Sequence, residues 1–193
     1  MRIVAGEFRG RPIVAPKGRS TRPTADRVRE GLFSALTSRL GADLGGGAIL
    51  DAFAGSGALG IEALSRGARH ATFVEKDATA ARTLRTNIGS LGLGDRSTVI
   101  QADIRSLSRR GVLPGQSFAL LFLDPPYRIG QAEVRALIDA LSDTGNLTEG
   151  AVVVWEHDSA DDADWPPWIE PLFDLQYGST RVDAGTYSRG DVR

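Results

Sequence analysis

The chain has 193 residues, 41% of them hydrophobic and 24% charged, which is the composition of an ordinary folded protein with length for one substantial core. No run of about 18 apolar residues could cross a membrane, the opening MRIVAGEFRG lacks the apolar stretch of a secretory signal, and the absence of cysteine excludes disulfides, thiol chemistry and thiolate metal sites. A cytoplasmic protein with no membrane partner and no metal is therefore expected, and the net charge of -1 says little until its distribution along the chain is followed.

The first segment, RIVAGEFRGRPIVAP, alternates around Gly10 and predicts a β-hairpin whose loop carries Arg9 and Arg11. A basic stretch follows, KGRSTRPTADR, so that Arg2, Arg9, Arg11, Lys17, Arg19, Arg22, Arg27 and Arg29 face only Glu7, Asp26 and Glu30 within the first thirty residues. Such an arm can hold phosphates of a polyanion without reading its sequence, or it can be a solvated charged face. Val28, Leu32, Leu36 and Leu40 recur every fourth residue with Phe33 beside them, which predicts a helix capped by Thr24. The glycine-rich GADLGGG is the natural joint, dividing an N-terminal extension, residues 1–44, from a main body, residues 45–193.

Beyond the joint, short apolar runs alternate with helical stretches: AILDAF, a helix from about Gly57, ATFVE, a helix from about Thr79, TVIQAD, a short helix, FALLFLD, a helix over Ala132 to Leu141, and AVVVWE. That alternation predicts an α/β protein with a doubly wound, mostly parallel sheet. The last two runs, in FDLQYGSTRVDAGTY, are joined through Gly178 with too few residues for a crossover and are expected to pair antiparallel. His70 and His157 are the only histidines and stand far apart in sequence, which argues against a histidine metal site as well.

A parallel sheet binds its ligands at the carboxyl ends of its strands. Asp51, Glu75, Asp103, Asp124 and Glu156 all fall at such ends, more acids than polar strand stops require. The loop LDAFAGSGALG places glycines at 55, 57 and 60 between a strand and a helix, with Glu75 twenty residues beyond Gly55. This pattern fits a dinucleotide, but it also fits S-adenosylmethionine. For the latter, Asp51 would serve the ammonium, Glu75 the ribose hydroxyls and Asp103 the adenine amino group. A pyrophosphate would be repelled by Asp51 so close to the helix start.

The stretch DPPY, Asp124–Pro125–Pro126–Tyr127, points the same way. Neither proline has an N–H and each restricts the residue before it, so the strand ends in a stiff ledge of acceptors. The Asp124 carboxylate and the Pro125 carbonyl suit the two hydrogens of an amino group, and Tyr127 offers a face on which a base can stack. Holding both N–H bonds aims a delocalised nitrogen lone pair at a methyl donor.

The motifs DAFAGSGALG, VEKD, QAD and DPPY, in this order, resemble those of class I S-adenosylmethionine-dependent amino-methyltransferases. With MRIVAGEFRGRPIVAP, TRPTADRVREGLFSAL and YGST, the chain resembles more narrowly the bacterial RsmD family, over nearly its whole length. The resemblance implies a Rossmann-like seven-stranded sheet, mostly parallel with an antiparallel C-terminal strand, and an N-terminal hairpin extension. It implies transfer of methyl to N2 of the guanine at position 966 of 16S rRNA in an assembling small ribosomal subunit, by a monomer. It puts Asp51, Phe53, Gly55, Gly57, Glu75, Lys76, Asp103 and Ile104 at the cofactor, Asp124 to Tyr127 at the reacting base, and Arg9, Arg11, Lys17, Arg19, Arg22 and Arg27 on RNA phosphates. Competing readings are a DNA amino-methyltransferase, for which no target-recognition domain is left over, a protein glutamine methyltransferase, which would have an uncharged residue in place of Asp124, and an RNA-binding protein without catalysis. Nothing is carried over onto EHDSADDADWPPW or onto the tail past Tyr187.

Overall fold

The structure, a computed structural model, describes residues 1–15, 23–41, 44–111, 113, 117–126 and 128–188. Its elements run α1 (Pro23–Leu40), β1 (Ala48–Asp51), α2 (Ala58–Ser65), β2 (His70–Val74), α3 (Ala78–Leu91), β3 (Ser97–Ile100), α4 (Ile104–Arg109), β4 (Phe118–Leu123), α5 (Gln131–Asp143), β5 (Leu147–Asp158), β6 (Ile169–Tyr177) and β7 (Thr180–Tyr187). The strands form one seven-stranded sheet in the order β3-β2-β1-β4-β5-β7-β6. β3, β2, β1, β4 and β5 are parallel, and β7 runs antiparallel between β5 and β6, so the expected fold is the one observed.

Burial on both faces explains why the parallel strands read as continuous apolar runs rather than alternating ones. Ile49, Leu120, Phe122, Val152 and Val154 point to one face, where α1, α2 and α3 bring Leu32, Phe33, Leu36, Ile61, Leu64, Leu84 and Ile88. Leu50, Leu121, Leu123, Val153 and Trp155 point to the other, against Ile104 of α4 and Val134, Leu137, Ile138 and Leu141 of α5. In α1 the four-residue spacing buries Val28, Leu32 and Leu36 with Phe33, as read from the sequence, while Leu40 is half-buried. The helix starts at Pro23, one residue before the expected cap at Thr24; a proline is well suited to the first turn because its missing N–H would have no helical partner there.

The N-terminal hairpin is reduced to one antiparallel bridge, Arg2 with Pro12, supported by Ile3 N–H to Arg11 O at 3.0 Å and Ile13 N–H to Met1 O at 3.0 Å. Beyond this bridge the segment is bound by α2. Val4 and Ala5 donate to the two oxygens of Glu62 at 2.8 and 3.0 Å, and Glu7 N–H donates to Ser65 O at 2.7 Å. Gly6 turns at φ 83° against that carbonyl, and a Cβ there would lie 1.8 Å from it. Ile3 and Ile13 thereby join the same core cluster as Ile49 and Phe122. Among the described residues no helix is long and apolar enough to cross a membrane.

Candidate active site

Strand order reverses between β1, whose chain continues outward through β2 and β3, and β4 on its other side. Ligands bind at such a point in open α/β sheets, just outside the carboxyl ends of the strands. A cavity of about 870 Å³ opens there, lined by Asp51, Phe53, Ala54, Gly55 and Ser56 from the loop after β1, Asp124 to Pro126 after β4, and Glu156 to Asp158 at the end of β5. The turn Tyr177 to Thr180, Asp161, Met1, Ala15, and Asp26, Val28 and Arg29 of α1 also line it. Its size lies in the range usual for small-molecule sites.

The glycine loop is held by both neighbouring strands. Ala52 N–H donates to Phe122 O at 3.1 Å and Ala54 N–H to Val74 O at 3.0 Å. Gly57 opens α2 in the left-handed conformation, φ 84°, and a Cβ on it would meet Leu84 Cδ1 at 2.4 Å. Gly60 lies against the ring of Phe73, 2.3 Å from where its Cβ would be, so the third glycine lets helix and sheet approach. Of the three, Gly55, at φ 55°, is the one whose backbone faces the cavity wall.

Asp51 is buried and accepts from Gly60 N–H at 3.0 Å. Burial pushes its carboxyl up to about 7; the Gly60 bond opposes this, and the nearby Asp124 and Glu75 carboxylates add to it. Asp124 sits exposed at the head of the ledge, on the cavity wall, and also interacts within the protein. Pro126 O accepts from Ile129 N–H at 2.9 Å, which turns the ledge back toward α5. Tyr127 lies outside the described residues.

The remaining expected cofactor residues occupy the same edge but do not line the cavity. Glu75 spends both oxygens on backbone amides, Gly55 N–H at 2.8 Å and Asp77 N–H at 2.6 Å, so it shapes the glycine loop from the end of β2. Asp103 caps α4 through Arg105 N–H at 3.1 Å and is gripped by the Arg105 guanidinium at 3.1 and 2.8 Å and by Lys76 Nζ at 3.0 Å. The Arg105 hydrogen bond holds its carboxyl well below the usual carboxylate range. Ile104 is buried behind it. Of the expected RNA contacts, Arg9, Arg11 and Arg27 are exposed, and Arg11 donates to Ser90 O at the end of α3 at 2.8 Å. Lys17, Arg19 and Arg22 lie outside the described residues.

Three features escaped the sequence reading. Glu62, fully buried, binds the arm's amides, Arg66 Nε at 2.9 Å and the Arg29 guanidinium at 3.7 Å. Asn87 on α3 exchanges hydrogen bonds with both backbone groups of Val14 at 2.9 Å and donates to Ser56 O at 2.9 Å, bracketing the basic arm to the glycine loop. The late acidic stretch contributes Glu156, His157, Asp158 and Asp161 to the cavity, and Arg135 and Arg181 tie it down through Asp164 and Asp162, each at 2.7 to 2.8 Å. The strand-end acid at 156 was the one sequence signal for this wall.

The profile of a family described as conserved hypothetical protein 95 matches residues 1–185. Ribosomal RNA small subunit methyltransferase D of Escherichia coli strain K12 is 38% identical over 156 residues, covering 81% of this chain and 74% of that protein. YlbH of Bacillus subtilis is 39% identical over 158 residues, covering 82% and 83%. The solved structure of yhhF from Escherichia coli has a TM-score of 0.81 at 30% identity, covering 97% of this chain and 98% of that one.

Proposed function

The chain belongs to the conserved hypothetical protein 95 family, the RsmD methyltransferases of ribosomal RNA, and on this footing we propose that it transfers methyl from S-adenosylmethionine to N2 of a specific guanine of 16S rRNA. The observation that carries the reading is the sign of the cavity. Asp26, Asp51, Asp124, Glu156, Asp158 and Asp161 outnumber Arg29 and His157 on its walls. A carboxylate made reluctant to ionise chiefly by burial, and further by neighbouring carboxylates, suits a ligand that brings positive charge, and S-adenosylmethionine carries an ammonium and a sulfonium. The pyrophosphate of a dinucleotide would add negative charge to the same walls.

When bound, the cofactor supplies an electrophilic methyl on sulfur. Asp51 and Gly55 are assigned to its amino-acid end, with Phe53 beside them; Glu75, Lys76, Asp103 and Ile104 are assigned to the ribose and adenine side of the rim. Gly57 shapes the loop. Asp124 and the Pro125 carbonyl accept the two N2 hydrogens of the guanine, and Pro126 keeps the ledge stiff. Because the amine is a poor nucleophile, the gain comes from orientation and from charge fixed in advance, more than from proton removal by a weakly basic carboxylate. Residues 1–44 form the arm that holds RNA phosphates, through Arg9, Arg11 and Arg27 with Lys17, Arg19 and Arg22, while the guanine turns out of its stack. The enzyme acts as a monomer on an assembling or assembled small subunit.

The test is methyl transfer from labelled S-adenosylmethionine by the purified protein to small ribosomal subunits from cells lacking this modification, with duplex DNA as the alternative substrate. Label recovered as N2-methylguanine in 16S rRNA supports the reading. Label in DNA, or in adenine or cytosine, overturns it.

A further inference from the structure

We propose that Glu156 selects guanine by accepting its N1–H beside the amino group held at Asp124; this deepens the guanine-N2 reading and rests on it. Both side chains line the same cavity. β4 and β5 are parallel, with Leu123 opposite Trp155 and Phe122 opposite Val154, so continuing the register by one residue sets Asp124 beside Glu156. Phe122 and Val154 share the core on the α1 side, and residues two further along each chain emerge on that same face. Adjacent strands lie about 4.8 Å apart, close enough for two carboxylates to meet neighbouring donors of a single base.

Guanine alone among the RNA bases carries a ring N–H next to an exocyclic amino group, two adjacent donors. Adenine and cytosine place an unprotonated ring nitrogen beside their amino group, and that lone pair would face the second carboxylate. A flipped base is read through hydrogen bonds to this edge, and a site built to bind a donor discriminates strongly against an analogue that lacks it.

The other polar groups of this wall have other tasks. His157 places Nδ1 at 2.9 Å from Asp158 O and Nε2 at 2.5 Å from Asp183 Oδ2, so both ring nitrogens are taken by the protein. Asp158 accepts from Ala160 N–H at 2.9 Å within its own turn. Glu156 also interacts within the protein, but a carboxylate has acceptor positions on both oxygens and accommodates a further donor.

The experiment compares target RNA, in the form that the wild type methylates, carrying either guanine or 2-aminopurine at the modified position. The analogue keeps the 2-amino group, replaces N1–H by a bare acceptor and lacks the 6-oxo group, so the change of preference in the variant reports on N1–H. Wild type is expected to favour guanine in kcat/KM by about 10- to 100-fold, the worth of one hydrogen bond to a charged group. Glu156→Gln is expected to lower kcat/KM for guanine by at least about tenfold and to shrink the preference over 2-aminopurine by a similar factor, because the amide can donate to the bare nitrogen. Its loss of affinity for S-adenosylmethionine, by calorimetry, is smaller than its loss in kcat/KM for guanine. An unchanged preference in the variant, or an equal loss on both substrates, overturns the proposal. Should the variant not fold, the wild type alone decides: no preference for guanine over the analogue refutes the role of Glu156 while N2 methylation stands. Absence of any N2-methylguanine from the wild type refutes the underlying reading instead.

Discussion

Asp51 carries a carboxyl that folding moves from an ordinary 3.8 to about 7, chiefly through burial. Between those two pH values the folded protein holds a proton that the unfolded chain has released, so stability falls as pH rises from about 4 to about 7, and the penalty is complete above 7. The gap corresponds to about 4 kcal/mol at most. Asp51→Asn removes the charge and keeps an oxygen to accept from Gly60 N–H, now 3.0 Å from Oδ2. The variant is therefore expected to be more stable than wild type at pH 8 and to keep less than half of that advantage at pH 5. Even a quarter of the penalty would raise the melting temperature by about 3 °C in a chain of this size. Removing the negative partner of an ammonium costs about 1.5–3 kcal/mol, so S-adenosylmethionine should bind about 10- to 100-fold more weakly. Thermal unfolding at the two pH values and calorimetric titration with the cofactor measure both effects. A variant equally stable relative to wild type at pH 5 and pH 8, or one that binds the cofactor undiminished, would refute the assignment of a desolvated carboxylate to a cationic ligand.

Gly57→Ala forces a side chain into φ 84° and against Leu84, and is expected to destabilise the fold by about 2–4 kcal/mol, read as a lowered melting temperature. Glu62→Ala leaves the amides of Val4 and Ala5 without their acceptor and Arg29 and Arg66 without their carboxylate. A loss of about 3–5 kcal/mol is expected in denaturant unfolding, with faster proteolysis of the N-terminal segment. Arg9→Ala combined with Arg11→Ala should weaken RNA binding and reduce its logarithmic salt slope by about two, leaving cofactor affinity unchanged; an unaltered slope removes these residues from the RNA interface.

Most of the sheet was legible because burial on both faces leaves a local trace: three to six mostly apolar residues, then an acid, then a helix pattern. The glycine loop and the ledge were legible for the same reason, since backbone conformation is written in the residues that adopt it. What depends on distant pairing left no such trace. Glu62 sits in the sequence like any acid on a helix, yet it binds amides 57 and 58 residues away and moulds the far end of a short hairpin onto α2. Asp103 falls at the expected strand end, but Arg105 and Lys76 close on it, and no single-strand rule foretells that. EHDSADDAD carries no role in the sequence reading, whereas Arg135 and Arg181 bind it and His157 packs 5.3 Å from the Trp155 ring.

The central claim is that a proline-stiffened ledge headed by Asp124 holds a guanine amino group for methylation. Its most direct test is mass mapping of methyl groups on 16S rRNA from unmodified small subunits after incubation with wild type or Asp124→Ala, each first shown to bind S-adenosylmethionine. The account predicts one N2-methylguanine with wild type and a loss of at least about a hundredfold in rate with the variant, at nearly unchanged cofactor affinity. Full methylation of the same guanine by Asp124→Ala would contradict it.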